Sequence, residues 1–129
     1  MTLLDHHMHS KISFDSKEDL EEYLILSDNP IITTEHLDFK DPSGNFIDRI
    51  PDYDQHLEWA NTLNQRYNNR VHIGLEIGWT HDSHHEIKHF LKGKCYDLIL
   101  LSVHQNGVAD YLEKEKFHDL DKKRLIVEY

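Results

Sequence analysis

Apolar residues recur along this chain with two periods. Val71-His72-Ile73-Gly74-Leu75-Glu76-Ile77-Gly78 places an apolar residue at every second position, the period of a strand. Ile31-Ile32-Thr33-Thr34 is a β-branched run and predicts another strand. Leu3 to Met8 reads as a first strand. Leu98 to Val103, apolar almost throughout, reads as a last one, of the kind that lies in a parallel sheet covered on both faces. Between these runs the period lengthens to that of a helix. Leu20, Tyr23, Leu24 and Ser27 follow a candidate N-cap at Ser16, and Asp28-Asn29-Pro30 ends the segment. Asp41 to Asn45 forms a loop. A second helix is expected from near Asp52, with Tyr53, Leu57, Ala60, Leu63 and Tyr67 as its buried stripe and Asn68-Asn69 at its close. A short third helix runs from about Ser83 to Leu91, with Ser83 and Glu86 spaced as a capping box. Lys122 to Tyr129 again has helical character and carries no C-terminal stop signal.

Strands alternating with helices predict an α/β fold with right-handed crossovers. Four such units are about half of a (β/α) barrel, which typically needs ~250 residues. The expectation is therefore the first half of a truncated barrel, with a small open α/β sheet as the alternative. No repeat, linker or low-complexity tract divides the chain, so residues 1–129 read as one domain.

Composition changes the picture in two places. The formal net charge of -10 argues against nucleic-acid binding, which needs clustered Lys and Arg. Twelve histidines in 129 residues point instead toward metal, for which His is the commonest ligand. The hydrophobic content of 38% suits a soluble domain. No apolar run approaches the ~20 residues of a membrane span, and no basic-then-apolar leader opens the chain, so a cytoplasmic protein without membrane partners is expected. Cys95 is the single cysteine; it lies in a polar turn and is assigned no role.

The strands share a feature at their C-terminal ends, where active sites of α/β sheets and barrels form. Alternation puts Asp5, His7 and His9 on one face, likewise Ile32, Thr34 and His36, then Gly74, Glu76 and Gly78, then Leu98, Leu100, Ser102 and His104. Each run thus delivers a His or Glu at its end. Gly74 and Gly78 flank Glu76 on its own face, either leaving room for something bulky such as metal ions or marking close backbone packing. Asp5 is either a partner that orients a ligand histidine or a strand-end cap.

His7-x-His9 alone is a weak signal. Joined to Ser13-Phe14-Asp15, Ile32-Thr33-Thr34-Glu35-His36, Ile50-Pro51-Asp52-Tyr53, Gly74-Leu75-Glu76-Ile77-Gly78 and Leu101-Ser102-Val103-His104, it is strong. This set resembles the polymerase-and-histidinol-phosphatase (PHP) superfamily, and most sharply its histidinol-phosphate phosphatase branch, over essentially the whole chain. The resemblance implies a distorted (β/α)7 TIM-like barrel, of which this chain is the N-terminal portion, and two or three divalent metal ions (Zn, Mn or Fe). It implies that His7 and His9 hold one ion, that Glu76 bridges it to a second shared with His104, and that Asp15 and His36 belong to a third site. It implies no catalytic side chain beyond the water that these ligands activate through metal. The implied substrate is a small phosphorylated one, L-histidinol phosphate, hydrolysed to L-histidinol and phosphate in histidine biosynthesis. The family's remaining ligands, a later His and an Asp-x-His pair, are expected past Tyr129. Neutral imidazole and carboxylate without thiolate suit such ions. Paired metals ~3.5–4 Å apart bind phosphate oxygens and lower the pKa of a water between them.

Two other readings stand beside this one. The first is an inactive or partner-dependent metal-binding fragment, self-associating through open sheet edges. The second is a zinc protease, because His85-Glu86-Ile87-Lys88-His89 matches H-E-x-x-H. At 100° per residue, however, His85 and His89 lie almost opposite the apolar stripe of Ile87, Phe90 and Leu91 and should face solvent. His81 and His84 are expected at the surface with them. His56 is expected to be structural, His72 a packed core histidine, His118 exposed, and His6 turned away from the site.

Overall fold

The computed structural model describes residues 5–113. The expected helical character of Lys122–Tyr129, the exposure of His118, and the Leu3-Leu4 start of the first strand lie outside the described residues.

Two long strands organise the chain. β1 (Ile31–Asp41) and β3 (Val71–Gly78) pair in parallel with Ile31 opposite Val71 and His36 opposite Glu76. β4 (Leu98–Ser102) joins the far side of β3, with Leu100 opposite Glu76. β2 (Ile47–Arg49), which hydrophobic patterning did not disclose, folds back antiparallel on the late half of β1, giving the order β2-β1-β3-β4. The expected first strand survives in its described part as a parallel bridge of Asp5 with Ile31. The Ile32 and Thr34 amides donate to the carbonyls of Asp5 (3.2 Å) and Met8 (2.8 Å), so residues 5–8 run beside the early half of β1.

Three helices pack on a single face of this sheet. α1 (Leu20–Leu26) and α2 (Tyr53–Arg66) bury Leu20, Leu24, Ala60 and Leu63 against Ile31, Val71 and Ile73. α3 (His84–Leu91) seats Ile87 on Leu37, Phe39, Leu75 and Ile77. All the strand residues in these two cores carry odd numbers, so the even-numbered face is left for other work. α2 starts where the sequence places it: Asp52 is the N-cap and accepts from the Gln55 amide at 3.0 Å, a bond typically worth ~1 kcal/mol. Asn68 and Asn69, both at positive φ, turn the chain back into β3. No helix among the described residues is long and apolar enough to cross a membrane.

Four local expectations are corrected. Asp19, not Ser16, caps α1; its side chain accepts from the Glu21 amide, while the Ser16 hydroxyl donates to the His9 carbonyl. The capping box sits one turn earlier than expected, between Thr80 and Ser83, and Ser83 makes no side-chain cap to α3. β4 is not covered on both faces among the described residues: Ile99 and Leu101 are 46% and 68% exposed, because no described helix reaches the outer side of this edge. His72 is not a packed core residue. Alternation fixed its face but not its depth, and it stands half-exposed at the start of β3, 3.7 Å from Asp97.

His56 is buried beneath the sheet as expected, its Nε2 2.6 Å from the Thr33 hydroxyl. Burial pushes its pKa down from 6.5 to about 4. The unfolded chain therefore takes up a proton near pH 6.5 that the folded chain refuses until about pH 4, and stability falls through that window as pH drops. At pH 5 the loss from this one group is about 2 kcal/mol. Urea unfolding at pH 7 and pH 5, in chelator, is expected to show the wild type losing about 2 kcal/mol more than His56→Gln over that interval, since the raised histidines of the other face contribute equally to both proteins.

Candidate metal centre

The even-numbered face gathers the polar side chains. β1 delivers His36 directly beside Glu76 of β3, and His104 follows β4 by two residues. His7 and His9 enter from the segment beside β1, and Asp15 from the loop after it. All six residues singled out in the sequence line one cleft of about 540 Å³.

Glu76 is the hub. It is 4% exposed, and its two oxygens serve different neighbours. Oε2 lies 2.9 Å from His7 Nε2, 3.4 Å from His9 Nε2 and 3.6 Å from His36 Nδ1. Oε1 lies 3.1 Å from His104 Nε2. On the other side of His36, Nε2 is 3.3 Å from Asp15. The His9 and His36 rings stack at 4.3 Å, their planes 2° apart. Three overlapping groups result, each with its ligand atoms within 4.8 Å of one another: His7, His9 and Glu76; His9, Asp15 and His36; His36, Glu76 and His104.

Sequence reasoning missed Asp38. Its carboxylate accepts from His104 Nδ1 at 2.7 Å, which orients that imidazole, and its other oxygen stands 3.4 Å from His36 Nδ1. The available signal was alternation itself, since Asp38 follows His36 on the same face, one step past the His36 end of the expected run. Asp5, the carboxylate considered for that role, caps backbone instead, accepting from the His7 amide at 3.2 Å. Gly78 separates Asp38 from His104. A Cβ there would lie 1.8 Å from Asp38 Oδ1 and 2.7 Å from His104 Nδ1. A Cβ at Gly74 would meet backbone, the Thr33 carbonyl at 2.9 Å and the Leu98 carbonyl at 3.1 Å. Gly74 is thus a packing glycine, and Gly78 is the gap over which Asp38 meets the ligand His104.

The charges are strongly coupled. Burial opposes ionisation of Glu76, but hydrogen bonds with His104 and His7 overrule it and hold its carboxyl at about 2. Burial likewise disfavours a proton on His104, yet its bonds to Asp38 and Glu76 push it up to about 10. His36 is raised against burial by the Asp38 carboxylate and by Asp15. His9 goes the other way, lowered by burial first and by neighbouring His36 second, which favours the neutral form that donates a lone pair to a cation.

These donors fit divalent cations. Four imidazoles converge on one buried carboxylate, a demand for positive charge that either ring protons or an ion must meet, and an ion would displace the protons. The Nδ1 atoms of His9 and His36 are buried without a hydrogen-bond partner. By contrast His81, His84, His85 and His89 are all exposed on or beside α3; His85, Glu86 and His89 line a separate surface cleft with Phe39, Phe90 and two lysines, and none of them belongs to a metal-ligand group among the described residues. His6 is exposed and belongs to none of the three groups.

No protein-family model matches the chain. It is 31% identical over 124 residues to a histidinol-phosphatase of Lactococcus lactis, a stretch that covers 92% of this chain and 45% of that protein. It is 29% identical over 131 residues to a probable histidinol-phosphatase of Clostridium acetobutylicum, covering 98% and 49%. The fold matches the crystal structure of the histidinol phosphate phosphatase of Lactococcus lactis, solved with zinc, L-histidinol and phosphate. The TM-score is 0.75 at 28% identity, over 83% of this chain and 42% of that one. In sequence and in fold alike, the chain is similar to histidinol-phosphatases, and it spans a little under half the length of those it matches.

Proposed function

We propose that residues 1–129 form the N-terminal portion of a PHP domain, one wall of a distorted (β/α)7 TIM-like barrel, that holds divalent cations and serves phosphomonoester hydrolysis. His7, His9, Asp15, His36, Glu76 and His104 are the ligands, for two or three ions of zinc, manganese or iron. L-histidinol phosphate is the proposed substrate, hydrolysed to L-histidinol and phosphate, because the structural neighbour was solved with L-histidinol and phosphate in place. The observation that carries the reading is the sharing of His9, His36 and Glu76 among three ligand groups on one face of the sheet. Among the described residues, helices confined to the other face of the parallel strands β1, β3 and β4 support the barrel wall.

Divalent cations held by these ligands would supply charge to offset that of the phosphate oxygens and to acidify water. The chain's own residues prepare that chemistry. Glu76, ionised at any working pH, offers one oxygen toward His7 and His9 and the other toward His104, as a bridging carboxylate must. Asp38 fixes the Nδ1 edge of His104 and so aims Nε2 into the site. Phe14 and Leu112 give the cleft apolar walls for the organic part of a substrate.

Inorganic phosphate release from L-histidinol phosphate, with added manganese or zinc and then with chelator, tests the reading. The expected result is metal-dependent release that the chelator abolishes; release that resists chelation would remove it. Cations bound tightly without turnover would favour the partner-dependent fragment. The span of under half the relatives' length keeps that alternative in view, with Ile99 and Leu101 of β4 as its surface for self-association.

A further inference from the structure

Glu35 is fully buried, and it is not in the cleft. It sits between Thr34 and His36, so alternation sends its side chain to the helix-covered face while His36 enters the site. A carboxylate taken out of water is costly unless its oxygens are satisfied. No Lys or Arg among the described residues pairs with it, and its neighbour His56, 3.9 Å away, is held to Thr33.

Its satisfaction comes from one short turn. The Ser10 amide donates to both oxygens, at 3.2 and 3.1 Å. The Ser10 hydroxyl donates to Oε1 at 2.7 Å and the Ser13 hydroxyl to Oε2 at 2.5 Å. Both serines are used twice. The Ser10 hydroxyl also accepts from the Ile12 amide, and the Ser13 hydroxyl accepts from the backbone amide of His36 at 3.0 Å. The turn closes on itself where the Ser13 amide donates to the Ser10 carbonyl at 2.9 Å. His9 immediately precedes this turn and Asp15 lies two residues after it.

We infer that Glu35 is a positioning residue: from the far face of β1 it fixes the Ser10–Ser13 turn and thereby sets the approach of His9 and Asp15 to His36. A carboxylate that only filled the core would be replaceable by an apolar side chain, at a gain. Among the described residues, the hydrogen bonds to Glu35 all come from the segment that carries two ligands, and one continues to the third through Ser13. The Ser10 backbone amide can only donate, and it faces both oxygens of Glu35, at 3.2 and 3.1 Å. A glutamine amide nitrogen in either position would meet that N–H. The clamp therefore requires a carboxylate.

The inference rests on the metal-centre reading, and its test separates the two. The metal-free chain is labelled at histidine nitrogen and titrated with zinc, in wild type, Glu35→Gln, Glu35→Ala and Ser13→Ala. Ring signals of His9 and His36 are followed apart from those of His104. Hydrogen exchange of backbone amides is measured on the metal-free proteins. Glu35→Gln and Ser13→Ala are expected to weaken zinc binding reported by His9 and His36 by about 10–100-fold, the range for loss of an orienting partner. Binding reported by His104, whose group shares only His36 with the affected one, should fall far less, and faster exchange should be confined to residues 9–15. Equal weakening at all three rings, or faster exchange spread through α2 and β3, would overturn the assignment, as would wild-type behaviour in both variants. Should Glu35→Ala not fold, Ser13→Ala, which leaves the Ser10 bonds in place, decides alone. A wild type that binds no zinc would sink the metal reading instead, while the exchange measurement still tests the clamp.

Discussion

Glu76→Gln is expected to abolish tight cation binding by this chain. Glu76 belongs to two of the three ligand groups, and its two oxygens face different ones. An amide keeps the size and one oxygen but loses the charge, and its nitrogen turns a donor toward the rings or the ion. Loss of an outer partner typically lowers metal affinity 10–100-fold; loss of a ligand common to two groups should exceed that. The metal-free chain changes as well. Ionised Glu76 helps to hold the pKa of His104 near 10, so the variant's His104 should titrate markedly lower. Calorimetry with zinc and a pH titration of the His104 ring signals read the two effects separately. His85→Ala and His89→Ala, on the exposed face of α3, serve as matched controls and should leave both measurements untouched. A Glu76→Gln chain that binds zinc like wild type would remove Glu76 from the centre, and with it the proposed bridge.

The six proposed ligands were legible because a strand converts spacing into facing. His36, Glu76 and His104 each come at the end of an apolar run, and parallel pairing then brings such ends together without further information. Their partners were harder to see. Asp38 sits beyond the point where β-branched residues stop, and the strand continues to Asp41 only because β2 and β3 pair with its polar end. Glu35 lies among the odd-numbered positions that otherwise fill the core, and nothing local tells that a buried carboxylate there is satisfied by a turn more than twenty residues earlier. His72 failed for a complementary reason. It shares the face of Glu76, but at the first turn of the sheet, where the strand meets solvent. Alternation gives direction; depth depends on which elements cover the strand ends. The same limit explains Ile99 and Leu101, whose apolar character is clear in the sequence and whose exposure is a property of the neighbourhood.

The two glycines of β3 turn this distinction into opposite expected results. In Gly78→Ala the new Cβ would occupy the line between Asp38 and His104, 1.8 Å from the Asp38 oxygen. The obstacles are the Asp38 carboxyl, with its Cγ at 2.7 Å, and the edge of the His104 ring, all side-chain atoms, so the side chains rather than the strand must give way. Their displacement breaks the 2.7 Å bond that orients His104. The expected result is a folded chain with near wild-type thermal stability that binds zinc about 10–100-fold more weakly. In Gly74→Ala the Cβ meets carbonyls of both neighbouring strands, at 2.9 and 3.1 Å, and neither can move without the sheet. Overpacking of that kind typically destabilises by about 1–3 kcal/mol. Gly74 approaches no proposed ligand directly, so zinc affinity in the folded fraction should fall far less than in Gly78→Ala. Paired melting curves and zinc titrations of the two variants decide the matter. If both lose stability alike and neither loses zinc selectively, the gap at Gly78 is ordinary strand packing, and the Asp38–His104 pair does not set the metal affinity.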